Sequence, residues 1–147
     1  MMETITEKTI KVARTRSGVP CLWESLVPFE NLKRATIILD SNGKSKRAYY
    51  YNKEREKQAL VGISTGDHMV KCFEDAHGVA ISIFRIVEIS SMNNSATIIP
   101  VYRKSSLVQD ETYPQEYADM IKTCLSKLVG IGTPVIARKT YELENAI

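Results

Sequence analysis

Three consecutive tyrosines set among basic side chains are the most chemically suggestive stretch of this sequence. Tyr49, Tyr50 and Tyr51 follow Lys44, Lys46 and Arg47 and precede Lys53, Arg55 and Lys57. On a β-surface, tyrosine rings can stack on nucleobases while neighbouring lysines and arginines neutralise phosphates. These nine residues are the expected nucleic-acid-binding set, for RNA or DNA. The plainer account is a set of half-buried rings with a solvated basic rim, diluted by Glu54 and Glu56.

A second cluster joins His68, Cys72 and His77. Imidazole and thiolate together suit a soft metal or thiol chemistry. On a strand, His68 and Cys72 share a face but stand ~13 Å apart along it, too far to share a metal without a bulge. His77, beside Gly78, has the look of turn chemistry. The three are weak metal candidates, and no cofactor is expected. Asp67 follows Gly66, a pair that reads as a turn, with glycine supplying the backbone angle and aspartate a local hydrogen bond. Arg85 interrupts an apolar face and is expected to pair with a carboxylate such as Glu74 or Glu88. The sequence has no GxSxG, P-loop, GxGxxG, HExxH or paired CxxC. No catalytic residue is therefore assigned.

The elements that must position these residues are mostly strands. Residues 68–74 and 79–90, joined by a short turn, form an expected central hairpin rich in β-branched side chains. In the second run, Val79, Ile81, Ile83, Val87 and Ile89 alternate with a face holding Phe84 and Ile86, so the strand should be covered on both sides. Residues 35–40 and 46–52 flank Asn42-Gly43, which predicts an antiparallel hairpin whose second strand carries the tyrosines. Residues 8–14 read as an edge strand, 21–25 as a short extended piece, and 59–64 as a buried strand. Leu26, Phe29 and Leu32 are expected to lie against the core from a loop. Residues 96–104 are a further strand, with Pro100 marking an edge or bulge.

After Lys104 the period changes. Tyr117, Met120, Ile121, Cys124, Leu125 and Leu128 recur at helical spacing, predicting one amphipathic helix over about 113–129. Thr112 and Gln115 have the spacing of a capping box, and Gly130 is placed to end the helix. A last strand over 133–141 is possible in the remaining chain. The expected fold is α+β: a mainly antiparallel sheet over about 4–104, curled into a small, partly closed barrel, with one C-terminal helix. Such an arrangement resembles small barrel modules of the PUA-like and OB classes, a likeness of architecture that implies no function.

With 147 residues the chain fits one domain, which buries roughly two-thirds of its unfolded surface and needs no disulfide or metal. Hydrophobic residues at 44% and charged ones at 25% exclude wholesale disorder. No apolar run reaches a membrane span, and the acidic, polar N-terminus does not read as a signal or transit peptide. A cytoplasmic protein with three buried, reduced cysteines (21, 72 and 124) is expected. Net charge is +3, unevenly spread: residues 1–57 hold twelve Lys/Arg against seven Asp/Glu, whereas 58–147 hold eight against ten. That asymmetry favours an anionic partner for the first half. The leading expectation is a non-enzymatic module binding RNA or DNA. A protein-interaction or self-assembly module comes second, and an enzyme using His68, Cys72 or His77 third.

Overall fold

The computed structural model describes residues 6–25, 34–52, 58–75, 78–105 and 112–126, with 49–52 and 75 described by their backbone. Along the chain these form β1 (Lys8–Lys11), β2 (Ala13–Arg14), β3 (Pro20–Ser25), β4 (Arg34–Leu39) and β5 (Ala48–Asn52). There follow β6 (Gln58–Gly62), β7 (His68–Asp75), β8 (Gly78–Ser90), β9 (Ser95–Lys104) and α1 (Gln115–Ser126). The strands build two antiparallel sheets, one ordered β1-β9-β8-β7-β4 and the other β2-β3-β6-β5. The result is the expected small α+β fold, mainly antiparallel sheet curled as a half-barrel, with a single helix among the described residues. Among the described residues no helix is long and apolar enough to cross a membrane.

The β7–β8 hairpin is the middle of the larger sheet, as its apolar content demands. Its ladder runs unbroken from His68 opposite Arg85 to Asp75 opposite Gly78. Alternation then separates two cores. Val79, Ile81 and Ile83 join Ile37, Val70 and Cys72 beneath α1, which contributes Met120, Ile121, Cys124 and Leu125. On the opposite face Phe84, Ile86, Ile38, Met69 and Ile98 meet Leu22, Ala59 and Val61 of the smaller sheet. The larger sheet is thus the middle layer of three. Each fully buried Ile or Leu contributes about 1.5–3 kcal/mol of burial energy, so the helix, with Ile121 and Leu125 wholly enclosed, is anchored by packing.

Pro100 lies opposite Phe84, at one of two register shifts in the β8–β9 ladder. On the other side of β9, β1 pairs only with residues 95–98, so Pro100 interrupts no β1–β9 bond. A bulge beside an unpaired stretch of strand is what the proline predicted.

Three expectations need correction. Residues 8–14 are not one strand: Val12 intervenes, its N–H donating to Asn94 O at 3.0 Å, and the chain passes from the larger sheet to the smaller. Residues 35–40 and 46–52 do not form a hairpin. The turn between them is real, but among the described residues its only bridge joins Leu39 of β4 to Ser45, ahead of β5, and β4 and β5 enter different sheets. Gly43 has φ +79° while Asn42 keeps negative φ, so the two-residue turn with both residues left-handed does not form. Instead Gly43 N–H donates to Asp40 O at 3.0 Å and Asp40 N–H to Lys44 O at 2.8 Å, a three-residue loop. At the helix start, Pro114 stands immediately before Gln115 and its carbonyl accepts the Tyr117 N–H at 2.9 Å, which leaves Thr112 too early to cap.

The partner that β4 takes in place of β5 is made of side chains. Thr36 N–H donates to Ser25 Oγ at 3.0 Å, and Ile38 N–H donates to Glu24 Oε2 at 2.7 Å. Both acceptors come from β3. They satisfy backbone donors on the outer edge of β4 that would otherwise be stranded where the two sheets meet. The expected helix residue Leu128, the loop residues Leu26, Phe29 and Leu32, and the possible strand at 133–141 lie outside the described residues.

Candidate nucleic-acid interface

The nine residues expected to bind nucleic acid begin at the Asp40–Ser45 loop. That loop is organised by Asp40, whose Oδ1 accepts the N–H groups of Asn42 at 2.8 Å and Lys44 at 2.9 Å. The bond from Lys44 chiefly holds the Asp40 carboxyl below the usual carboxylate range. Burial opposes the shift, and the Asn42 bond and the charges of Lys46 and Lys44 reinforce it. Lys44 and Arg47 are exposed. Lys46 is not a free cation: it turns inward to an ion pair with Asp67 Oδ2. Tyr49 to Tyr51 lie on β5, at the outer edge of the smaller sheet, with Tyr50 opposite Leu60 and Tyr51 opposite Ala59. The ladder shifts register between Ala48 and Tyr50. Lys53, Arg55 and Lys57 lie outside the described residues. The described part of the set thus places two exposed cations just ahead of an edge strand that carries three tyrosines.

Asp67 is a structural carboxylate. Only 4% of the residue is exposed, and besides Lys46 its Oδ2 accepts the Ser64 N–H at 2.7 Å. Its backbone is fastened to β8, with Ile86 N–H donating to Asp67 O and Gly66 N–H donating to Ile86 O, both at 2.8 Å. Gly66 at φ +98° supplies the left-handed angle this turn requires. The turn chemistry was legible at Gly66 and Asp67; the lysine 21 residues upstream was not.

His68 and Cys72 share the helix-facing side of β7 and are both buried. They do not converge. The Nδ1 of His68 lies 3.1 Å from Asp40 O, whereas Cys72 meets Cys124 of α1 with the sulfurs 3.0 Å apart. The Cys72 thiol also reaches Cys124 O at 3.3 Å. Among the described residues no group of three or more His, Cys, Asp or Glu could hold a metal ion, and His77 lies outside them. Arg85, opposite His68 on β8, is exposed. Burial raises the Cys21 thiol pKa against the pull of Arg14 and Lys46.

A second basic surface was not anticipated. On the side of the larger sheet that faces the smaller one, Ile38, Met69 and Phe84 are covered, whereas the rows beyond them carry several exposed side chains. The register sets Thr36, Lys71, Ser82 and Arg103 side by side across β4, β7, β8 and β9, and Arg34, Phe73 and Ala80 in the next row. Arg34, Lys71 and Arg103 are exposed, as is Phe73 at 40%. The Arg34 guanidinium stands 5.5 Å from the Phe73 ring centroid, and on the same face Lys8 Nζ stands 5.6 Å from that of Phe84. The two rows hold three cations and no acid. One signal was present in the sequence, the alternation of Met69, Lys71 and Phe73, but the cations gather only once four strands are in register. Compared with protein-family models, with curated proteins and with solved structures, the chain matches none.

Proposed function

We propose that this protein is a non-enzymatic module that binds RNA or DNA through the basic, tyrosine-bearing segment from Lys44 to Lys57. The observation that carries the proposal is the exposure of Lys44 and Arg47 immediately before β5, the outer edge strand of its sheet. Cations at a sheet edge next to rings that can stack bases are the two ingredients of sequence-tolerant nucleic-acid binding. Lys46 leaves the set of direct contacts, because its charge is spent on Asp67; it shapes the loop that presents its neighbours.

The test is a fluorescence-anisotropy titration at ~50 mM salt with RNA, single-stranded DNA and duplex DNA, low salt being where phosphate contacts are strongest. Replacing Lys44 and Arg47 together with Ala should weaken binding to every sequence and flatten the salt dependence by about 1.4 in log–log slope for a single strand. Tyr50→Ala should cost about 1–3 kcal/mol with little change in slope, provided the variant still folds. Absence of binding to all three probes refutes the proposal.

One observation supports a second reading. The outer edge of β5 is unpaired among the described residues, and such an edge can add a strand from another protein or from a second copy. A mass that rises with concentration, insensitive to Lys44 and Arg47, would favour it.

A further inference from the structure

We infer that the rows of exposed cations on the larger sheet form a single-strand binding platform, with Phe73 and Arg34 stacking a base and Lys71, Arg103 and Lys8 taking phosphates. The inference rests on the nucleic-acid function proposed above and adds a surface to it, on the other sheet. Charge complementarity points to a polyanion, since three exposed cations share two rows without an acid. The aromatic ring narrows the choice. An acidic peptide would be held by the cations alone, whereas a nucleobase also uses Phe73 and the guanidinium plane beside it. The base must come from a single strand, because in a duplex both of its faces are already stacked.

The dimensions suit that ligand. Neighbouring strands lie ~4.8 Å apart, so Lys71 on β7 and Arg103 on β9 are about 10 Å apart, and β1 to β4 spans about 19 Å. That width accommodates a few nucleotides, at the short end of the roughly 4–16 covered by one small barrel. Phe73 lies one pleat along β7 from Lys71, which sets a stacked base beside the phosphate row. None of these cations makes an ion pair with another described residue. A ligand therefore breaks no described ion pair on reaching them, and shares Arg34 and Lys8 with the rings of Phe73 and Phe84.

The experiment uses the full chain and a fluorescein-labelled single-stranded oligonucleotide of about 12 nucleotides, at several salt concentrations. Lys71→Ala with Arg103→Ala should weaken binding and lower the log–log salt slope by about 1.4, the share of two phosphates on a single strand. Phe73→Leu keeps apolar bulk but loses the ring, and should weaken binding about tenfold with the slope unchanged. Phe73→Trp should bind, with tryptophan quenching beyond any that wild type shows through Trp23. It tests stacking even where the leucine variant folds poorly. If wild type binds nothing, nucleic-acid binding itself is refuted and this surface with it. If wild type binds and only Lys44→Ala with Arg47→Ala weakens it, the platform is refuted while the function stands. Equal affinity for duplex, or for polyglutamate, with Phe73→Leu neutral, also overturns the platform.

Discussion

Lys46 and Asp67 offer the sharpest test of how the structure is held together. Lys46→Met keeps most of the aliphatic stem but removes the charge, leaving the Asp67 carboxylate with the Ser64 N–H as its remaining described donor. The Asp67 side chain is only 6% exposed, and that of Lys46 is 19% exposed. Stranding one member of a buried pair costs about 3–5 kcal/mol, and the partial exposure of the lysine reduces this to about 2–3 kcal/mol here. With a urea m-value of roughly 1–3 kcal/mol/M, the unfolding midpoint should fall by about 0.7–3 M at unchanged slope. Asp67→Asn retains an oxygen for Ser64 and frees Lys46 to reach water, so it should cost less. Combining the two should recover much of the loss, because the stranded charge is gone. A Lys46→Met unfolding free energy within about 0.5 kcal/mol of wild type, the range of an ordinary surface change, refutes the structural role assigned to the pair. Lys46 is therefore a poor probe of ligand binding, since its loss perturbs the loop that carries Lys44 and Arg47.

Asp40 predicts acid sensitivity of the same loop. Its folded pKa is depressed, so its contribution is present above the usual aspartate value of about 3.9 and is lost as pH falls through the folded value. The stability gap between wild type and Asp40→Ala, measured by urea unfolding, should be present at neutral pH and close in acid; a gap independent of pH refutes the role. All three cysteines are buried and none is in a disulfide, so a thiol reagent should titrate three only after unfolding. Rapid labelling of native Cys72 would show instead that α1 does not cover it.

What the sequence made legible was local. The alternation of Val79 to Ile83 against Phe84 and Ile86 placed β8 between two layers, and the spacing of Met120, Ile121, Cys124 and Leu125 placed α1. Asn42-Gly43 marked a turn correctly but not what followed it. Turn residues dictate a local reversal, whereas the pairing of β4 with β7 and of β5 with β6 depends on burial across the whole fold. The candidate site shows the same division. The tyrosines and cations near residue 50 were visible as a cluster because they are contiguous. Neither the removal of Lys46 by Asp67 nor the gathering of Arg34, Lys71, Phe73 and Arg103 could be read without strand register.

The side-chain acceptors along the outer edge of β4 have a consequence for the chain's behaviour in company. Arg34–Leu39 contains a run of apolar, largely β-branched residues of the kind that recruits a like strand from a second molecule. Glu24 and Ser25 occupy its backbone donors with groups that bond but present no strand of their own to extend the ladder. They act as gatekeepers, ending the sheet chemically where geometry leaves it open. Glu24→Val would leave the Ile38 donor seeking another acceptor, and the nearest equivalent at high concentration is the backbone of a neighbouring copy. Faster fibril formation by Glu24→Val than by wild type, followed by thioflavin fluorescence, is the expected outcome, and equal rates refute the gatekeeper role.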